Sequence, residues 1–168
     1  MGLKVTINTK KVAGRVQLRF ENLDDMLAYA ERLVRGGTTQ LGNWSLGQVL
    51  QHLALIQNAS IDGYPKLFPR PVRFILKVFF KRWLLRRGFP PSGPNVKTLT
   101  PEAIDAPIAL ANLRTATERV KTETKRAENP GFGKMSLDEW NLLYLRHAEL
   151  HLSFCVPKDH VVSPSHSC

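Results

Sequence analysis

The segment that most restricts the fold is 136–154, SLDEWNLLYLRHAELHLSF. Ser136 and Glu139 stand at capping-box spacing, the apolar residues recur with helical period, and Pro157 marks an end. The spacing predicts a helix. On a wheel of about 100° per residue, Asp138, Glu139, Arg146, Glu149 and Ser153 share one side. Trp140, Tyr144, His147, His151 and Phe154 share the other. The first group is expected to face solvent and the second the core. A helix that carries two imidazoles on its buried stripe needs a neighbour that can satisfy them, because polar groups do not enter an apolar core unpaired.

The neighbours are also helical. NLDDMLAYAERLVRGG (22–37) has a capping Asn22, acids in its first turn, arginines in its last and a glycine stop. SLGQVLQHLALIQNASIDG (45–63) opens on Ser45. PVRFILKVFFKRWLLRRG (71–88) is amphipathic and strongly basic. TPEAIDAPIALANLRTATERVKTETKRAE (100–128) begins with helix-start signals, and Pro107 should kink or restart it. Residues 4–20, rich in β-branched side chains, read as an extended arm or short hairpin, and 90–95 as a linker. The reading is an all-α bundle of four or five helices: one domain over 1–156 and a polar tail over 157–168.

His147 and His151 are four residues apart, so their rings lie one above the other and can reach one ion. Two readings fit the pair. Each imidazole could be satisfied by a hydrogen bond in the core, or both could bind a metal. A metal needs a third ligand. His160 and His166 lie beyond Pro157. His52, on the helix 45–63, flanks the face made by Val49, Leu53 and Ile56 and can turn inward. Three histidines would leave a coordination position open.

Two tempting additions fail on geometry. HAELH (147–151) is not the zinc-peptidase pattern, since Glu149 is two residues from each histidine and points to the opposite face. Cys155 continues the stripe but stands about 12 Å along the axis from His147, too far to share an ion. It reads as a small buried hydrophobe. Gln48, one turn before His52, is a candidate contact to the site or its substrate. No residue is a convincing general acid or base, so catalytic residues stay unassigned.

NWSLGQVLQHLALIQNASIDGY (43–64) together with FGKMSLDEWNLLYLRHAELHLSF (132–154) resembles the DinB/YfiT-like superfamily of metalloenzymes, closest to a branch of unassigned function. The similarity covers roughly 15–155. It implies an up-down-down-up four-helix bundle, with a divalent ion (zinc or nickel) held by His52, His147 and His151. It also implies an activity of the thiol-dependent transferase or hydrolase kind on a small substrate, with a low-molecular-weight thiol such as mycothiol or bacillithiol. A cation makes such a thiol a strong nucleophile by favouring its thiolate. The competing expectation is a non-catalytic, metal-bound bundle, stress-related or attached to a membrane surface.

Charge brings in that second class. The formal net charge is +10, and residues 70–87 hold Arg70, Arg73, Lys77, Lys81, Arg82, Arg86 and Arg87 with no acid. This segment departs from the superfamily's usual pattern. It could lie on an anionic membrane, draw an anionic substrate to the metal, or simply cover the bundle with Phe74, Val78 and Trp83 packed inward. Nucleic acid is not expected, since no recognition motif accompanies the charge. Cys155 and the terminal Cys168 suggest no disulfide framework, and the N-terminus has no apolar leader run, so a cytoplasmic setting is expected.

Overall fold

The computed structural model of the chain describes residues 6–91 and 99–159. Five helices dominate it: α1 Leu23–Gly36, α2 Leu46–Asp62, a basic helix α3 over 70–87, α4 Ala106–Thr122 and α5 Leu137–Leu152. α1 and α2 each pack against both α4 and α5, which makes a four-helix bundle, and α3 adds its C-terminal part to α5. The core is built from Met26, Leu33, Leu50, Leu113, Trp140 and Leu152, all fully buried.

Local chemistry sets the helix ends. Asn22 Oδ1 accepts from the amide of Asp25 at the start of α1. Ser45 with Gln48 and Ser136 with Glu139 both form complete capping boxes. Gln48, expected to touch the site, is therefore a capping residue; its amide also donates to the Pro101 carbonyl at 3.1 Å.

The long helix expected over 100–128 is shorter at both ends. Residues 101–105 are not helical, and α4 begins at Ala106 after Asp105. Pro107 does not kink it but sits in the first turn, where its missing N–H costs nothing. The preceding segment runs across the start of α2 instead. A Cβ on Gly47 would stand 1.9 Å from the Ile104 carbonyl oxygen, so only glycine allows this crossing. At the other end Arg126 donates to the carbonyls of Val120 and Glu123, closing α4.

The segment 155–157 is likewise not helical. β2 Cys155–Pro157 pairs antiparallel with β1 Thr38–Gln40, in the register Thr38↔Pro157 and Gln40↔Cys155. Cys155 is fully buried, as expected of a small hydrophobe, and its thiol donates to Gln40 Oε1 at 3.3 Å. Burial pushes that thiol up to about 12. Its neighbour in the sequence argument, Cys168, lies outside the described residues, as do His160 and His166.

The described part of the N-terminal arm forms no hairpin. It contains one short 3-10 turn, Thr9–Lys11, and then runs extended along the end of α5. The Val16 amide donates to the Ser153 carbonyl at 3.0 Å, and the Arg15 guanidinium lies 4.3 Å over the Phe154 ring. This path corrects one expectation. Arg146, Glu149 and Ser153 are not solvated but buried, because the arm covers their face of α5.

A candidate three-histidine metal centre

α2 and α5 pack side by side and bring His52 against His147 and His151. The imidazole nitrogens lie within 4.8 Å of one another. His147 Nε2 is at the centre, 3.4 Å from His52 Nε2 and 3.0 Å from His151 Nε2. The ligand triad read from the sequence is thus one cluster. Glu149 is not in it. Its carboxylate pairs with Arg146 at 3.0 Å and accepts from the Phe20 amide at 2.7 Å, on another face of α5.

His52 is oriented from behind. Its Nδ1 lies 2.7 Å from the Leu99 carbonyl, which can only accept, so Nδ1 carries the proton. Nε2 then presents a lone pair towards His147, the usual arrangement of a metal-binding imidazole. No sequence signal marks a backbone carbonyl in this role.

The two contacts of His147, at 3.4 and 3.0 Å, suit a shared cation, and one ion reaches all three rings when His52 and His151, which lie within 4.8 Å, stand no more than about 4.2 Å apart, twice a ligand bond. Ligand bonds of about 2.0–2.1 Å set adjacent nitrogens roughly 2.9–3.4 Å apart around one ion. One proton on His147 Nε2 can serve only one of its two short contacts well. A divalent ion would serve all three lone pairs. His52, His147 and His151 form the one such cluster of potential ligands among the described residues.

The walls are aromatic and apolar. Trp44 stacks on His151 with ring centres 5.3 Å apart and leans against His52 at 4.8 Å. Phe89, just beyond α3, meets His147 edge-on at 6.0 Å. On the inner side, a crevice lined by Met26, Leu53, Ile56, Gln57 and Tyr144 is too narrow for water. His52 is buried, and His147 and His151 are half-buried.

Burial lowers the pKa of all three histidines. For His52 the Leu99 bond partly opposes it; for His147 the other two rings add to it; His151 falls to about 3. All three are therefore neutral ligands at pH 7. Unfolded imidazoles titrate near 6.5. The stability linked to the neutral rings is therefore complete above about 6.5 and is lost as pH falls through the lowered folded values. Urea unfolding of the metal-free protein should show a falling free energy from pH 7 to pH 5, and a flat profile would refute the linkage. With an ion bound the slope should steepen, because protons then compete with metal.

Fold and site together define a helical-bundle protein with a candidate three-histidine metal centre. The chain belongs to the family described as Protein of unknown function (DUF1569), whose model matches residues 12–158. No curated protein and no solved structure matches it significantly.

Proposed function

We propose that this protein is a metal-dependent enzyme that acts on a small substrate, as a thiol-dependent transferase or a hydrolase. The observation that carries the proposal is the convergence of three neutral imidazole nitrogens with one tautomer fixed from behind. Structural zinc sites are usually closed by four protein ligands, whereas three leave a position for a substrate. Zinc or nickel suits an all-nitrogen donor set. The resemblance of 43–64 and 132–154 to DinB/YfiT-like enzymes supports the same reading.

A bound divalent ion would supply charge that lowers the pKa of a thiol or a water. The chain's own residues do the rest. Leu99 holds His52 in the ligating tautomer. Trp44 and Phe89 flank the rings with apolar surface, which suits a small molecule with an apolar part. No carboxylate joins the cluster among the described residues, so the nucleophile has to come with the substrate or from water. A low-molecular-weight thiol fits that need, and a cytoplasmic setting would provide one.

The test is a metal-reconstituted assay against small esters and electrophile–thiol pairs, with wild type beside Glu149→Gln. Activity should require metal, and the Gln variant, measured per folded molecule, should keep it within about tenfold. A general base is worth roughly 10²–10⁴-fold, so a hundredfold loss with metal intact would reinstate a carboxylate mechanism. Stoichiometric metal with no turnover across the panel would favour a non-catalytic bundle.

A further inference from the structure

We propose that the outer face of α3 is an interfacial anchor that seats the protein on an anionic lipid bilayer. The proposal stands on residues that take no part in the metal centre.

α3 is built from Arg70–Ile75, a π segment Leu76–Phe80 and Lys81–Arg87. The residues turned towards the protein are Arg73, Leu76, Lys81, Leu84 and Leu85. The step from Leu76 to Lys81 is five residues, one more than an α-helical turn provides, and the π segment supplies it. The helix therefore keeps one narrow inner face along its length, and the remainder is turned outward. That inner face is held at few points. Arg73 pairs with Glu128, Lys81 pairs with Glu139, and Leu76 sits 3.3 Å from where a Cβ of Gly131 would be. Leu85 is the only α3 residue in the buried core.

The outward part is apolar. Phe74 and Phe79 are 66% and 68% exposed, and Val72, Ile75, Val78 and Trp83 are each exposed by two-fifths or more. The covering-helix reading required Phe74, Val78 and Trp83 to pack inward, and they do not. Soluble chains do not normally leave so large an apolar surface on one helix without a partner.

Charge identifies the partner. Between Asp62 and Glu102 the sequence contains no carboxylate. Lys77, Arg82, Arg86 and Arg87 are exposed beside the apolar side chains and make no ion pair among the described residues. A second copy docked through a two-fold axis would bring these cations against their own counterparts. Nucleic acid would meet the cations but would leave Val72, Ile75 and Val78 without a complement, since its binding surfaces use aromatic stacking and phosphate contacts. A bilayer with anionic headgroups satisfies both: acyl chains receive the apolar residues and headgroups receive the cations. No helix of the described residues is long and apolar enough to cross a membrane, so α3 would lie in the interface plane.

The experiment is co-sedimentation of the full chain with vesicles of phosphatidylcholine alone, and of phosphatidylcholine with about one third phosphatidylglycerol. It is run with and without added zinc, to keep it separate from the metal centre. Partitioning should favour the anionic vesicles by about tenfold or more and weaken about tenfold in high salt. Phe74→Ser with Phe79→Ser, and separately Arg82→Glu with Arg86→Glu, should each reduce it about tenfold. Thermal melting should stay unchanged in both, because these side chains are exposed. Trp83 emission should shift to the blue on anionic vesicles, and Trp83→Phe should remove that shift. Equal binding to neutral vesicles, no binding to either, or double-serine protein that binds like wild type would overturn the proposal. So would an oligomer in light scattering that the double-serine change dissolves, or binding to an oligonucleotide without binding to vesicles.

Discussion

Replacement of His147 by alanine should empty the centre. Protein purified without an affinity tag and equilibrated with zinc should hold about one ion per chain as wild type and under about a tenth of an ion as His147→Ala. His147 is the shared vertex of the cluster, since its Nε2 makes both short contacts, 3.4 Å to His52 and 3.0 Å to His151. Without it, two ligands on different helices remain, too few for a site that needs at least three protein donors. Melting gives a second reading. An ion that binds only the folded wild type at a hundred times its dissociation constant adds about 2.7 kcal/mol, and the variant should gain nothing. Stoichiometric zinc in a folded alanine variant would mean that the ion is held elsewhere.

Arg146→Ala should be the most destabilising of the changes considered, at about 3–5 kcal/mol, because it strands the Glu149 carboxylate in a buried position. Both side chains are almost wholly enclosed, with 3% and 9% of their surface exposed. They also hold the two backbone groups of Phe20: Arg146 donates to its carbonyl at 2.9 Å, and Glu149 accepts from its amide at 2.7 Å. The pair is thus a clamp that fixes the N-terminal arm to α5. Arg19, 3.7 Å from Glu149, is too exposed to replace Arg146. Arg146→Met with Glu149→Leu should recover part of the loss by removing the unpaired charge, yet not all, since Phe20 loses its partners. Urea unfolding of Arg146→Met, Glu149→Leu and the double variant that combines them measures the coupling. A single variant within about 1 kcal/mol of wild type would show that the pair is solvated after all.

That pair also shows where sequence reasoning stops. Arg146 and Glu149 stand three apart on a polar stripe, and taken as a helix in isolation they read as a surface ion pair. Burial came from residues 15–20, an arm with no periodic signal. The histidine cluster was legible for the opposite reason: His147 and His151 break an apolar stripe, and His52 sits beside another. The capped starts at Asn22, Ser45 and Ser136 were legible because capping chemistry is local. β1 and β2 were not, since three residues carry too little pattern to oppose a helical pattern that runs on to Pro157. The segment before α4 misled because Thr100, Pro101 and Glu102 are good helix-start residues. What overrides them is a close approach at Gly47, more than fifty residues earlier in the chain.

The crossing at Gly47 has a kinetic side. His147 and His151 are only four residues apart, so a single turn of nascent α5 brings them together. His52 is 95 residues from His147, and its orienting partner Leu99 is 47 residues away in the chain. Closing loops of that length is slow and entropically costly compared with winding a helix. An unfinished chain therefore offers a cation only a weak two-point grip. The third donor, in its correct tautomer, arrives when the segment before α4 has settled over α2. Occupancy of the centre would then mark completed molecules and distinguish them from those still folding.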